Sequence, residues 1–233
     1  MLLMSRATFL AGAKKSIPIM LGYTPLGLAF GVVAREQGLA VWQAALMSLT
    51  AFSGSGQFIA VGMLGAGFGV SAILLTTFLV NLRYLLFSAS MAPHVGKLST
   101  LAQSIVAFGI TDETFTLNMS GFDRQAADRD FILGVNICPH LSWIINSALG
   151  AAVGSMIPDI NRYGVNFALP AMFIALLVMQ IKDRITLAVA VISGLISTGI
   201  ALLTTNGSHI IAATVIAATI GVILCQCRQK STS

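Results

Sequence analysis

Charge is the scarcest property of this 233-residue sequence: Asp, Glu, Lys and Arg make up only 9% of it, 8 acidic residues against 13 basic ones. A water-soluble domain needs far more charged surface. With 56% hydrophobic residues and a mean hydropathy of +0.89, the shortage leaves an integral, all-α membrane protein. Cysteine is nearly as scarce. Three thiols cannot build a disulfide framework, Cys225-Gln226-Cys227 is too cramped and isolated for zinc, and Cys138 sits in an apolar stretch. No basic stripe or aromatic platform accompanies the net charge of +5, so nucleic acid is not indicated. The sequence shows no cluster of metal-ligand type, no nucleophile beside a base and no phosphate-cradling loop, so neither an enzyme nor a cofactor or metal site is expected. The first apolar stretch lacks a small-residue cleavage site and reads as a retained span.

What is present is a succession of apolar stretches, at residues 17–34, 39–64, 70–92, 98–119, 131–156, 164–181, 185–203 and 209–225. They predict a polytopic helical bundle of about 7–8 membrane segments. Residues 1–15 read as an N-terminal interfacial segment, with Leu2, Leu3, Phe9 and Leu10 on one side and Arg6, Lys14 and Lys15 on the other. Residues 16–226 form the transmembrane domain and 227–233 a C-terminal tail. Residues 123–130 make a charged, solvated loop. If all eight stretches cross and the N-terminus is cytoplasmic, nine basic residues lie inside and only Arg35, Lys97 and Arg162 outside, as the positive-inside rule asks. If a broken stretch turns back within the membrane, the later assignments flip and seven spans remain. A faint internal duplication is suggested by Gly22-x-x-Pro25 against Asn136-x-x-Pro139 and by Phe58-Ile59-Ala60 against Phe173-Ile174-Ala175.

The polar interruptions carry the functional signal. As one helix, residues 39–64 would measure roughly 39 Å at about 1.5 Å per residue, longer than a bilayer core of about 30 Å. The stretch contains Phe52-Ser53-Gly54-Ser55-Gly56-Gln57, where two glycines weaken the helix and serines compete for its backbone. Two readings fit: the helix unwinds and restarts near Gln57, or the glycines admit a close neighbour. Gly22-Tyr23-Thr24-Pro25 invites a kink or a second break in the first span, where Gly27 and Gly31 have the GxxxG spacing; Gly150 and Gly154 repeat it. Thr111-Asp112-Glu113 interrupts a third stretch, with Thr111 placed to cap a restarted helix whose first turn holds both carboxylates.

Asn81 and Arg83 fall near the middle of residues 70–92. A central arginine costs at least about 2.5–3.5 kcal/mol to insert, so a partner is expected, with Glu113 or Asp112 at hand. The pair can be a fixed brace or part of a solute site. His140, beside Pro139, is expected to be a hydrogen-bonded interior or interfacial histidine.

A transporter needs such groups at membrane depth. Tyr23, Pro25, Ser53, Gly54, Ser55, Gly56, Gln57, Asn81 and Arg83 are the expected solute-binding set, with an apolar solute side chain facing Leu26, Phe52 and Phe58. Asp112 and Glu113 are candidates for an ammonium partner or for proton coupling. A passive channel would use the same breaks as a pore, and a scaffold would use the charges only as a brace.

The runs Gly22-Tyr23-Thr24-Pro25-Leu26-Gly27-Leu28-Ala29-Phe30-Gly31 and Phe52-Ser53-Gly54-Ser55-Gly56-Gln57-Phe58, with Asn81-Leu82-Arg83-Tyr84, Ala92-Pro93-His94 and Thr111-Asp112-Glu113, resemble the AzlC family. That resemblance implies the large subunit of a branched-chain amino acid exporter in the inner (cytoplasmic) membrane. It implies proton coupling and a small hydrophobic partner of the AzlD type. Tyr84 departs from the pattern, since many relatives carry histidine there.

Overall fold

The computed structural model describes residues 5–122, 128–156, 174, 177–178, 181, 184–203, 216 and 219–221. All regular structure among them is helical. The expected stretches at 164–181 and 209–225 lie mostly outside these residues, as do the C-terminal tail, most of the second copy of the duplication and residues 123–127 of the loop expected at 123–130; the end of that loop is instead helical from Arg129, with Asp130 buried. The chain divides into two compact units, Met1–Ala168 and Leu169–Ser233.

The first unit contains α1 (Arg6–Lys15), α2 (Ile17–Glu36), α3 (Val41–Thr50), α4 (Gly54–Gly65), α5 (Val70–Val95), α6 (Thr100–Phe108), α7 (Asp112–Phe122) and α8 (Arg129–Gly154). The second contains α9 (Arg184–Leu203). Among the described residues, three helices are long and apolar enough to cross a membrane, α2, α5 and α8. Exposed Leu74, Phe78, Leu85 and Leu86 along α5, and Leu141, Ile145 and Leu149 along α8, are the apolar surface expected of a protein solvated by lipid.

Two of the expected interruptions are real. Residues 39–64 fold as α3 and α4, separated by Ala51, Phe52 and Ser53, with Ala51 and Ser53 in extended conformation. The restart comes at Gly54, one turn before the expected Gln57, because the Ser53 hydroxyl caps the new helix by accepting from Gly56 N at 3.2 Å. The stretch at 98–119 splits into α6 and α7 around Gly109-Ile110-Thr111. Here Thr111 and Thr114 cap reciprocally: Thr114 N donates to Thr111 Oγ1 at 3.2 Å and Thr111 N to Thr114 Oγ1 at 2.7 Å.

The break expected at Pro25 is absent. The helix α2 runs unbroken from Ile17 to Glu36 with Pro25 inside it. A proline removes one rung of the ladder, and the turns beyond it are clamped against α8, so the helix continues. The clamp is built from small residues. A Cβ at Gly27 would lie 2.9 Å from Asn146 Cβ; one at Gly31 would run into the Ser147 carbonyl, and one at Gly150 into the Leu28 carbonyl. Both GxxxG pairs thus contribute a glycine to one α2–α8 contact at backbone distance.

Of the expected N-terminal segment, residues 6–15 form α1, which packs on α8, with Gly12 against Phe131 and Gly134 against Phe9. Ser5 N donates to Asp130 Oδ2 at 2.6 Å, fixing the start of α1 to the start of α8. Arg6, Lys14 and Lys15 remain exposed.

Gly31→Ala and Gly150→Ala should each destabilise the purified protein by about 1–3 kcal/mol, since the added methyl meets backbone that cannot yield. Gly22→Ala, which meets open space, should leave the thermal midpoint in detergent unchanged or raised. Equal midpoints for all three variants would contradict the tight α2–α8 contact.

Candidate functional site

Each helix break leaves backbone carbonyls with no partner in their own helix, and inside a bilayer no water replaces it. Side chains of α8 fill part of that role at both breaks. At the end of α3, His140 Nε2 lies 2.9 Å from the Ser48 carbonyl. At the end of α6, Asn136 Nδ2 donates to the Val106 carbonyl at 3.1 Å, while Asn136 Oδ1 accepts from Asn118 Nδ2 of α7 at 2.9 Å. Asn136 and His140 are four residues apart and so share one face of α8.

Trp143, one turn further, donates from Nε1 to Gln57 Oε1 at 2.7 Å, and Gln57 Nε2 donates to Ser48 Oγ at 3.0 Å. Because the indole is only a donor, its contact fixes which way the Gln57 amide points. Gln57 is therefore buried and engaged on both sides of its amide. The close-packing reading of the two glycines holds together with the break. A Cβ at Gly54 would lie 3.1 Å from the Trp143 ring, and one at Gly56 2.7 Å from Ser53 Oγ and 3.1 Å from Asn81 Nδ2.

The two restarted helices meet at α5. Arg83 Nη2 donates to Ser55 Oγ at 2.7 Å, in the first turn of α4, and Arg83 Nη1 pairs with Asp112 Oδ2 at 3.1 Å, at the start of α7. Its charge partner is thus Asp112, not Glu113. The guanidinium also lies 5.1 Å from the centre of the Tyr84 ring, a cation–π distance, and its Nε is buried without a hydrogen-bond acceptor among the described residues. Ser53 Oγ donates to Asn81 Oδ1 at 2.7 Å and accepts from Tyr84 Oη at 3.4 Å, so α5 holds the break as well as the helix start. The ion pair is only partly enclosed: the Arg83 and Asp112 side chains keep 26% and 37% of their exposure.

Glu113 faces elsewhere. Tyr23 Oη donates to Glu113 Oε2 at 2.6 Å and lies 2.8 Å from Thr111 Oγ1, which tethers α2 to the second break. The Tyr23 ring stands edge-on to Phe52, 6.0 Å away in the first break, and to Trp143 at 5.4 Å. One tyrosine therefore touches both interruptions. Pro25 is exposed, nearly opposite Tyr23 around the helix. Phe58 is fully buried against Phe30, and Phe52 stacks at 4.4 Å on the His140 ring.

Of the expected set, then, Tyr23, Ser53, Gly54, Ser55, Gly56, Gln57, Asn81, Arg83, Asp112 and Glu113 gather around the two breaks, and Pro25 does not. Sequence reasoning passed over Thr114, Asn118 and Trp143, and it used Asn136 only as a duplication marker. The signal was available as polar residues at positions 136, 140 and 147 beside Trp143, gathered on one face of a largely apolar helix.

Spanning helices, two interrupted helices and a charged, hydroxyl-rich junction where the interruptions meet define a polytopic helical membrane protein that holds polar chemistry among its helices. Within that class the chain belongs to the AzlC family, whose sequence model, described as AzlC protein, matches residues 18–157. It is 34% identical over 209 residues to an uncharacterized membrane protein of Archaeoglobus fulgidus, covering 89% of this chain and 91% of that one. It is 30% identical over 178 residues to the branched-chain amino acid transport protein AzlC of Bacillus subtilis, covering 75% and 68%. Inner membrane protein YgaZ of Escherichia coli is 28% identical over 190 residues, covering 78% and 77%. No solved structure matches the chain.

Asn136→Leu removes the acceptor for Asn118 Nδ2, leaving that buried group open, and one of the two donors to the Val106 carbonyl, which keeps Gly109 N at 3.1 Å. It should cost about 1–3 kcal/mol for the unpaired group, read as a lower thermal midpoint in detergent. A variant as stable as the parent would show that this group finds another partner.

Proposed function

We propose that this chain is the large subunit of a secondary exporter of branched-chain or similar hydrophobic amino acids in the inner, cytoplasmic membrane. It works with a small membrane subunit of the AzlD type, draws on the proton gradient and keeps its N-terminus in the cytoplasm, with about 7–8 crossings. Catalysis is not part of the proposal.

The observation that carries the reading is the meeting of two helix restarts at Arg83. Ser55 lies in the first turn of α4, Asp112 begins α7, and one guanidinium reaches both, at 2.7 Å and 3.1 Å. Half-helix N-termini and an arginine together favour a carboxylate at membrane depth, and irregular backbone within a membrane is kept where it lines such a site. The relative in Bacillus subtilis is named for branched-chain amino acid transport, which supports the choice of solute. Asp112 and Glu113 are the proposed proton-coupling groups, each lying beside a group that would sense its charge, Arg83 for one and Tyr23 for the other. A second reading has one observation in its favour: the closed Arg83–Asp112 pair is also what a non-transporting scaffold would use as a brace.

The test is efflux of radiolabelled leucine and valine from cells lacking their own exporters, with the chain expressed alone and with its small partner. Efflux should rise above the empty vector, fall to background when a protonophore collapses the gradient, and fall likewise in the Asp112→Asn, Glu113→Gln double variant. Downhill flux indifferent to the protonophore would replace the exporter with a facilitator. No flux of either amino acid would favour the brace.

A further inference from the structure

Resting on that reading, we infer that the Arg83–Asp112 ion pair is itself the receptor for the solute's head group. A zwitterionic α-amino acid opens the pair, placing its carboxylate on Arg83 and its ammonium on Asp112.

The two protein charges already form the complement of a zwitterion. They are held 3.1 Å apart between helices, and their exposure of 26% and 37% leaves them within reach of a solute. The two sides are mounted differently. Arg83 keeps its hydrogen bond to Ser55 Oγ at 2.7 Å and its place by the Tyr84 ring when Asp112 lets go. Its Nε has no acceptor, and a carboxylate supplies two oxygens where the single Asp112 contact supplies one, so the guanidinium fork gains on exchange. The first turn of α4 adds the N–H groups of Gly54 and Ser55, which favour negative charge on the Arg83 side.

On the other side, Asp112 released from Arg83 is a carboxylate that needs a cation, which the ammonium group provides. Other charged or titratable groups near it are already engaged. Glu113, its neighbour on α7, accepts from Tyr23 of α2, and Tyr84 of α5 bonds to Ser53. The site thus reads both charges of the head group at once. A solute lacking either one leaves Arg83 or Asp112 parted and unpaired, at a cost that an apolar side chain cannot offset.

The experiment is exchange of radiolabelled leucine in proteoliposomes holding the chain and its small partner, with three competitors: leucine, leucinamide, which lacks the carboxylate, and isocaproate, which lacks the ammonium group. Both analogues should compete at least about tenfold more weakly than leucine. In Asp112→Asn the discrimination against isocaproate should shrink, and in Arg83→Gln the discrimination against leucinamide, a crossed change of preference that loss of a mere brace would not produce. Either analogue competing as well as leucine in the parent overturns the inference while the exporter reading stands. Unaltered discrimination in variants that still exchange leucine also overturns it. If a variant does not assemble, the parent's competition data decide alone. Absence of leucine exchange in the parent defeats the exporter reading and, with it, this one.

Discussion

A helix that breaks inside a membrane must hand its open carbonyls to some other part of the protein, and here much of that burden falls on one face of α8. His140 meets the last turn of α3 and Asn136 the last turn of α6. In hydrocarbon an unpaired carbonyl costs several kcal/mol, which favours an unbroken helix; His140 offsets that at Ser48, and at Val106 the Asn136 amide joins Gly109 N, which donates to the same carbonyl at 3.1 Å. Once both breaks are held, Ser53 and Thr111 can serve as N-caps. Only then do the first turns of α4 and α7 present Ser55 and Asp112 to Arg83.

Such support works only if α8 lies close, and the spacing of its small residues accounts for that. Gly134 faces α1, Gly150 faces α2, and Trp143 lies against Gly54 of α4. The close approach of α2 in turn delivers Tyr23, whose ring lies against Phe52 while its hydroxyl reaches Thr111 and Glu113. Packing and polar bonding are therefore interdependent. A methyl group at Gly31 or Gly150 displaces α2 and with it Tyr23, which touches both breaks.

Much of this was legible in the sequence, for physical reasons that differ from residue to residue. Composition gave the membrane class, and the Ser53–Gly56 and Thr111–Glu113 interruptions gave both breaks, because glycines and hydroxyl side chains inside an apolar run weaken the helix and compete for its backbone. A partner for Arg83 followed from the expense of a lone charge at that depth. Its choice of Asp112 over Glu113 did not follow, since a sequence gives adjacent residues but not how far a helix start is rotated. Pro25 misled for a related reason. Local propensity predicts a weakened helix there, whereas continuity is decided by the tertiary clamp on α8. The role of Asn136 was hidden because its partners, Val106 and Asn118, are distant in the chain and one of them is a backbone carbonyl.

The two carboxylates illustrate how a small angular difference separates roles. Successive residues on an α-helix point about 100° apart, so two acids at the start of α7 cannot face the same neighbour. Asp112 turns to α5 and meets a fixed positive charge; Glu113 turns to α2 and meets a neutral hydroxyl. A proton arriving at Asp112 would change an ion pair, whereas one arriving at Glu113 would change a hydrogen bond that ties a spanning helix to a break. Neutralising the first therefore alters what the junction attracts, and neutralising the second alters how the junction is held. The divergence of the two side chains thus puts one acid beside Arg83 and the other at the joint between α2 and α7, so a change of charge at the first acts on the ion pair and at the second on the packing of a spanning helix.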